Sequence, residues 1–150
     1  MFETLNDISI VCERYFFDEE EIKYEEDIIN IFNGNIPKET NNDFLLNIIG
    51  LYYEIIEKNY DEMKKYYLKA VEFNNIESMN GLSFYYTDIK NYKEMKKYYL
   101  MAIELGDTVS MYNLGYYYQR IKNYEEMKKY YLMAFENGNN NGLYYLMEYY

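Results

Sequence analysis

The twelve residues "NYEEMKKYYLMA" at 123–134 recur almost unchanged earlier in the chain. The copies are "NYKEMKKYYLMA" at 91–102 and "NYDEMKKYYLKA" at 59–70, so the period is 32 residues. A catalytic site normally needs its residues once, whereas copies at a constant spacing are typical of folds built from stacked supersecondary units. The sequence therefore predicts a repeat fold, with the copied string as one element of its unit.

The copied string has the features of an amphipathic helix. In the last copy, Asn123 is a favourable N-cap residue, and Glu126 follows three positions later as in a capping box. Met127, Tyr131 and Ala134 then fall at i, i+4 and i+7, which places them on one apolar stripe. We therefore predict a helix that begins after the asparagine of each copy and buries this stripe.

A second helix is predicted before each copy. "SMYNLGYYYQRIK" at 110–122 matches "SMNGLSFYYTDIK" at 78–90, and "LNIIGLYYEIIEK" at 46–58 is a weaker copy. Gly115 lies inside the helix predicted over 110–122, where glycine costs about 1 kcal/mol relative to alanine. We expect that cost to be offset by a close approach of two helix backbones at Gly115.

The predicted unit is a helix, a short turn and a second helix. Gly106 and Gly138 follow the copied string and predict left-handed helix ends. One such pair cannot bury both of its apolar stripes, whereas stacked pairs can. The predicted fold is therefore an all-α solenoid of stacked antiparallel helix pairs over residues 41–150. Its parts are repeat 1 (about 44–74), repeat 2 (75–106), repeat 3 (107–138) and a terminal half repeat (139–150).

Residues 1–40 do not repeat clearly and are acidic. "DISIVCERYFF" (7–17) and "YEEDIINIF" (24–32) have the pattern of two amphipathic helices, and Pro37 marks a break before the array. We interpret this segment as an N-terminal helical cap whose polar outer face solubilises the stack. The alternative is a separate docking or targeting element.

The charge distribution argues against nucleic acid as a partner. The net charge is −11; residues 1–58 carry 14 acidic and 4 basic side chains, and residues 59–150 carry 12 and 11. Phosphate backbones require a basic face, which this composition does not favour. The acidic run Asp18–Glu21 suits a weak divalent-cation site or a basic partner, but a solvated helix start is the favoured interpretation.

Side chains for catalysis or cofactor binding are few. The chain has no histidine and one cysteine, Cys12, so Ser-His and Cys-His pairs and His- or Cys-based zinc sites are excluded. We expect no enzyme activity, no metal and no cofactor. Cys12 is interpreted as a small buried apolar residue. With no disulfide pair, no signal-peptide pattern and no long apolar run, the sequence predicts a cytoplasmic protein without a membrane span.

The two helices of the unit together carry a family resemblance. The first helix carries a serine, a leucine, a glycine or serine directly after the leucine, and a tyrosine. The second helix carries Tyr-Tyr and an alanine, and a glycine follows it. In repeat 3 these are Ser110, Leu114, Gly115, Tyr118, Tyr130, Tyr131, Ala134 and Gly138, and in repeat 2 they are Ser78, Leu82, Ser83, Tyr86, Tyr98, Tyr99, Ala102 and Gly106. The pattern resembles the Sel-one-like repeats, close relatives of the tetratricopeptide repeats, over roughly residues 44–150, although the unit here is shorter than in either family. The Tyr- and Asn-rich composition is similar to versions from amoeba-infecting giant viruses.

The resemblance implies a right-handed superhelix that acts as a non-enzymatic protein–protein interaction scaffold or adaptor. Its partner would be a peptide or a helix of another protein, bound in a preformed concave groove. The first helix of each repeat would line that groove, so the candidate partner-binding residues lie on it outside the apolar stripe. They are Asn80, Phe84, Thr87 and Asp88 in repeat 2, and Tyr112, Asn113, Tyr116 and Gln119 in repeat 3. Packing between layers is the alternative role of the aromatic members.

Two other functions stay open at this point. The final helix, around residues 142–150, has no following partner helix and predicts an exposed apolar strip. Such a strip suits a homodimer or structural homo-oligomer, or contact with a continuation of the chain. The less favoured alternative is a small-molecule or carbohydrate-handling enzyme that uses tyrosine and acidic side chains of the groove.

Overall fold

The computed structural model describes residues 1–11, 17–18 and 21–149 of the chain. This described part is helical, contains no strand and so confirms the predicted all-α class. Two short 3₁₀ helices cover Glu21–Tyr24 and Asn140–Gly142. The α-helices are α1 (Leu5–Val11), α2 (Glu25–Phe32), α3 (Asp43–Ile55), α4 (Tyr60–Val71), α5 (Ile76–Asp88), α6 (Tyr92–Glu104), α7 (Thr108–Arg120), α8 (Tyr124–Glu136) and α9 (Leu143–Tyr149).

The helices follow the predicted repeat. α3 and α4 form the pair of repeat 1, α5 and α6 that of repeat 2, and α7 and α8 that of repeat 3, while α9 lies in the terminal half repeat. Helices that follow one another in the chain pack together, as α3 does with α4, α6 with α7 and α7 with α8. This consecutive pairing is that of an all-α solenoid-type repeat protein. The handedness of the superhelix stays a sequence-based prediction.

The chain divides into two compact bodies, an N-terminal body of residues 1–78 and a C-terminal body of residues 79–150. In the N-terminal body, α1 and α2 bury Ile8 and Ile28 in one core with Ile48 of α3. The predicted second helix at 24–32 is confirmed by α2. The predicted first helix at 7–17 begins earlier, at Leu5, and the part of it that contains Cys12 lies outside the described residues.

The first and last residues of the acidic run, Asp18 and Glu21, form a reciprocal capping box. The backbone N–H of Asp18 donates to Glu21 Oε2 at 2.9 Å, and the N–H of Glu21 donates to Asp18 Oδ1 at 3.0 Å. Each carboxylate satisfies a backbone donor at the start of the 3₁₀ helix. These two residues therefore form a helix start, and the two glutamates between them lie outside the described residues.

The apolar stripe of the copied string is the core of each repeat. Met127, Tyr131 and Ala134 of α8 have no exposed surface. Their equivalents in α6 and α4 are buried as well: Met95, Tyr99, Ala102, Met63, Tyr67 and Ala70. The stripe predicted from the i, i+4, i+7 spacing is confirmed in all three copies.

The asparagine that precedes each copied helix is its N-cap, as predicted. Asn123 Oδ1 accepts from the N–H of Glu126 at 3.3 Å, and Asn59 and Asn91 make the same bond in their repeats. The other half of the predicted capping box is wrong. The N–H of Asn123 donates instead to the Tyr118 carbonyl at 2.9 Å, because the tight turn from α7 brings that orphan carbonyl closer. The Glu126 carboxylate pairs with Lys129 at 3.2 Å.

Residues with a left-handed backbone conformation occur both at the helix ends that close a repeat and in the turns inside a repeat. Gly106 and Gly138, with φ of 88° and 94°, end α6 and α8 as predicted. Within each repeat the corresponding residue is a lysine: Lys58, Lys90 and Lys122 have φ of 53°, 59° and 59°. A residue with a Cβ pays about 1 kcal/mol or more in this region, so each turn inside a repeat holds a strained lysine that the sequence analysis did not identify.

Gly115 is required by a tyrosine ring, so the predicted contact of two helix backbones is wrong. A Cβ added at Gly115 would lie 2.6 Å from Cδ1 of Tyr131 and 2.8 Å from Cε1. Gly50 has the same relation to Tyr67 in repeat 1. The small residue makes room for the buried ring of the copied string, which explains why it occupies the middle of the first helix.

Candidate partner-binding groove

A groove of about 660 Å³ lies in the C-terminal body, among α5, α6 and α7. The two first helices α5 and α7 line its sides, and buried residues of α6 form its floor. Five of the eight predicted partner-binding residues line it: Phe84, Thr87, Asp88, Asn113 and Tyr116. The structure adds seven others that the prediction did not include: Lys90, Tyr92, Met95, Tyr99, Tyr117, Arg120 and Ile121.

Tyr99 forms the centre of the floor. Its ring meets Phe84 edge-on, with centroids 6.4 Å apart. Burial raises the pKa of Tyr99 to about 12, although side-chain hydrogen bonding with Thr87 and Asn113 acts in the opposite direction. Thr87 and Asn113 line the groove beside this ring. The proton of the Thr87 hydroxyl is donated to the Ser83 carbonyl at 2.8 Å.

The α7 side of the groove presents an exposed aromatic ring beside a cation. Tyr116 is 43% exposed. The Arg120 guanidinium lies 6.0 Å from the centroid of that ring, at the outer limit of a cation–π contact. Tyr117, which also lines the groove, packs on Tyr92 of α6, with centroids 5.3 Å apart. Tyr116 is the more exposed of these two rings of α7.

Three charged side chains lie at one end of the groove, where α5 and α7 terminate. They are Asp88, Lys90 and Arg120. All three are exposed, and none of them makes an ion pair within the described part of the chain. This end therefore has one excess positive charge, although the whole chain has a net charge of −11.

Asn80 does not line the groove but joins repeat 2 to repeat 3. Its Nδ2 donates to Asp107 Oδ2 at 3.1 Å, and its Oδ1 accepts from the Ser110 hydroxyl at 2.7 Å. Asp107 in turn caps α7 by accepting the Ser110 N–H at 2.9 Å. Both ends of the Asn80 amide are hydrogen-bonded inside the protein, so Asn80 contributes to the junction between the two repeats.

The same junction occurs between repeat 1 and the start of α5, within the N-terminal body. Asn75 caps α5 through the Ser78 N–H and donates to Asp43, while the Ser78 hydroxyl donates to Asn47 Oδ1 at 2.9 Å. Asn47, Ser78 and Asn75 correspond to Asn80, Ser110 and Asp107. A repeated, buried polar network of this kind supports the structural role of Asn80.

Gln119 and Tyr112 also serve the packing of the repeat rather than the groove. Gln119 Oε1 accepts from the Tyr131 hydroxyl at 2.7 Å. Tyr112 stacks on the Tyr131 ring, with centroids 5.6 Å apart. Both side chains therefore support the buried tyrosine of α8, and burial raises the pKa of Tyr131 well above its usual range.

The residues missed by the sequence analysis lie mostly at the helix ends. Lys90 and Ile121 follow α5 and α7, and Arg120 is the last residue of α7, whereas the prediction considered only helix faces. A signal was present for Lys90, because a lysine recurs at that turn in every repeat. The sequence signal for Arg120 was weaker, namely that it is one of two arginines in the chain.

In residues 1–11, 17–18 and 21–149, no group of three or more His, Cys, Asp or Glu side chains could hold a metal ion. No helix in that part of the chain has the length and apolarity needed to cross a membrane. Two cavities of about 440 and 460 Å³ flank Pro37–Thr40 in the N-terminal body, and neither contains a predicted site residue.

Comparison with known families agrees with the geometry. Residues 45–75 and 109–136 match the family model of the tetratricopeptide repeat, and these segments cover nearly all of the pairs α3–α4 and α7–α8. In these two repeats the chain is similar to the tetratricopeptide repeat. A search of curated proteins finds no significant match. Tetratricopeptide repeats generally mediate protein–protein interactions.

Proposed function

We propose that this tetratricopeptide-like protein is a non-enzymatic scaffold or adaptor that binds a peptide or helix of a partner protein in the α5–α6–α7 groove. The observation that carries the proposal is the convergence of Phe84, Tyr116 and the Tyr99 floor on one open groove. Partly exposed aromatic rings beside amide and charged groups are characteristic of interaction hot spots.

Affinity capture from cell lysate, analysed by mass spectrometry, tests the proposal. One bait is the unaltered chain, and a second carries Phe84→Ala with Tyr116→Ala, a change confined to the sides of the groove. The matched control is Phe135→Ala, because Phe135 is 41% exposed on α8 and lies outside the groove. Circular dichroism establishes that each bait is folded.

The expected result is a partner retained by the unaltered chain and by the control but lost by the double variant. Capture of the same partner by all three baits would place binding elsewhere, and the acidic N-terminal body would become the next surface to test. Such a result would remove the groove from the proposal.

A homodimer or structural homo-oligomer through α9 is the second candidate function. Tyr144 and Met147 are each 72% exposed, and Leu143 is 36% exposed. These neighbouring apolar side chains favour burial against another helix. Light scattering at increasing concentration tests this candidate: a dimer abolished by Tyr144→Ser with Met147→Ser supports it, and a monomeric mass throughout excludes it.

Three finer assignments belong to the same proposal. The Sel-one-like subtype is supported by Leu114, Gly115 and Tyr118 followed by Tyr131 and Ala134. Residues 1–40 are proposed as a cap, supported by the packing of α1 and α2 on α3. A cytoplasmic location is supported by the lone cysteine, which cannot form an internal disulfide.

A further inference from the structure

We propose that the groove selects an extended peptide with an aromatic or large aliphatic side chain and a single carboxylate two residues away. This inference rests on the proposed function, since it names the chemistry of the partner that the groove would bind. It is carried by the charges at one end of the groove and by the helical spacing between Tyr116 and Arg120.

Lys90 and Arg120 bring two positive charges to the groove. Both cations lie on the groove at the ends of α5 and α7, and neither pairs with a carboxylate among the described residues. Asp88 lies at the same end, so the excess is one positive charge. A partner with one carboxylate complements this end, whereas a run of acidic residues would also meet Asp88.

The guanidinium gives the carboxylate a defined position. Arginine presents a planar fork of donors that matches a carboxylate in two parallel hydrogen bonds. Its stem leads back along α7 toward the Tyr116 ring, 6.0 Å from the guanidinium carbon. An acidic side chain bound to Arg120 therefore lies beside the site where an apolar side chain would contact Tyr116.

The apolar position lies one helical turn away. Tyr116 and Arg120 are four residues apart on α7, which corresponds to a rise of about 6 Å along the helix. In an extended peptide, side chains two residues apart point the same way and are separated by about 6.6 Å. A large apolar residue at i can thus contact Tyr116 and Phe84 while a carboxylate at i+2 or i−2 reaches Arg120.

Selection from a displayed library of short random peptides tests this inference. The full chain is the target, and the Phe84→Ala, Tyr116→Ala variant serves for counter-selection, so that the recovered peptides are those that need the groove. Each recovered peptide is then synthesised with its acidic residue changed to glutamine. Fluorescence anisotropy measures the affinity of both forms at low and high salt.

The expected peptides carry an aromatic or aliphatic residue with Asp or Glu two positions away. The change to glutamine, or Arg120→Gln in the protein, should each weaken binding about three- to tenfold, and the two changes together should cost little more than one alone. Lys93→Gln is the control, since Lys93 is an exposed α6 lysine outside the groove lining. Its effect on affinity should be less than twofold.

The other outcomes separate the two proposals. Groove-dependent peptides without an acidic residue, or with basic residues in its place, would overturn this inference and leave the proposed function intact. An acidic peptide whose affinity is unchanged by Arg120→Gln would also overturn it. Recovery of no groove-dependent peptide would overturn both the inference and the peptide-binding function on which it rests.

Discussion

The ring of Tyr131 occupies the space that a side chain at Gly115 would need. A Cβ at residue 115 would lie 2.6 Å from the ring, and one at Gly142 would lie 2.5 Å from it. The ring has no exposed surface, and its hydroxyl is held by Gln119. Gly115 therefore leaves free the space that the Tyr131 ring fills, and this contact determines how α7 packs on α8.

Gly115→Ala should destabilise the protein by about 1–3 kcal/mol, because the methyl group overpacks the buried ring. Urea denaturation followed by circular dichroism measures the change. In a Tyr131→Ala background the clash is absent, and the same substitution should stabilise by up to about 1 kcal/mol through helix propensity. The prediction is wrong if Gly115→Ala has the same effect in both backgrounds.

Asn80→Ala should also destabilise, by about 1–3 kcal/mol, because Ser110 and Asp107 lose their partner at a buried junction. Thermal unfolding measures the loss. Asn80→Ala combined with Ser110→Ala should cost clearly less than the sum of the two single changes, since both remove the same hydrogen bond. Additive losses would show that the Asn80–Ser110 bond contributes little.

Lys122→Gly should stabilise the protein by about 0.5–1 kcal/mol, since glycine removes the strain of a positive φ at the turn between α7 and α8. Chemical denaturation with an unchanged slope is the measurement. Gly138→Ala provides the reverse test at a neighbouring turn, where φ is 94°, and should destabilise by about 1 kcal/mol. A stabilising Gly138→Ala would contradict the assignment of these turns.

Alkaline pH should unfold the protein through Tyr99. Burial raises the pKa of Tyr99 to about 12, above its value of about 10 in an unfolded chain. The folded state thus holds the phenolic proton more tightly, and this contribution to stability is complete below about pH 10 and lost as the pH rises through 12. The free energy of unfolding should fall by up to about 1.4 kcal/mol per pH unit in that window.

Tyr99→Phe separates this group from the other tyrosines. Tyr52, whose hydrogen bond to Glu57 is the main reason its pKa is raised to about 12, acts in the same direction, so the variant should reduce the steepness of the loss without abolishing it. Denaturation at a series of alkaline pH values gives the slope. An unchanged slope in Tyr99→Phe would assign the alkaline transition to other groups.

The features that the sequence predicted correctly depend on near neighbours in the chain. The apolar stripe of Met127, Tyr131 and Ala134 follows from helical periodicity, and the Asn123 cap follows from side-chain chemistry within three residues. Both patterns occur in all three copies of the string, which strengthened the prediction of the helix. The αL lysine at position 122 was not predicted, because its conformation is imposed by the geometry of the turn rather than by residue preference.

The 32-residue sequence period by itself determined the all-α repeat fold, since a helix pair with two apolar stripes must stack to bury them. Only the tertiary structure decided which of the predicted residues of the first helices line the groove. Asn113 and Tyr116 line it, whereas Asn80 and Gln119 do not and are hydrogen-bonded to Ser110 and Tyr131. Each residue turns a helix face by about 100°, so the choice depends on how neighbouring helices pack, and that packing is decided by residues distant in the sequence.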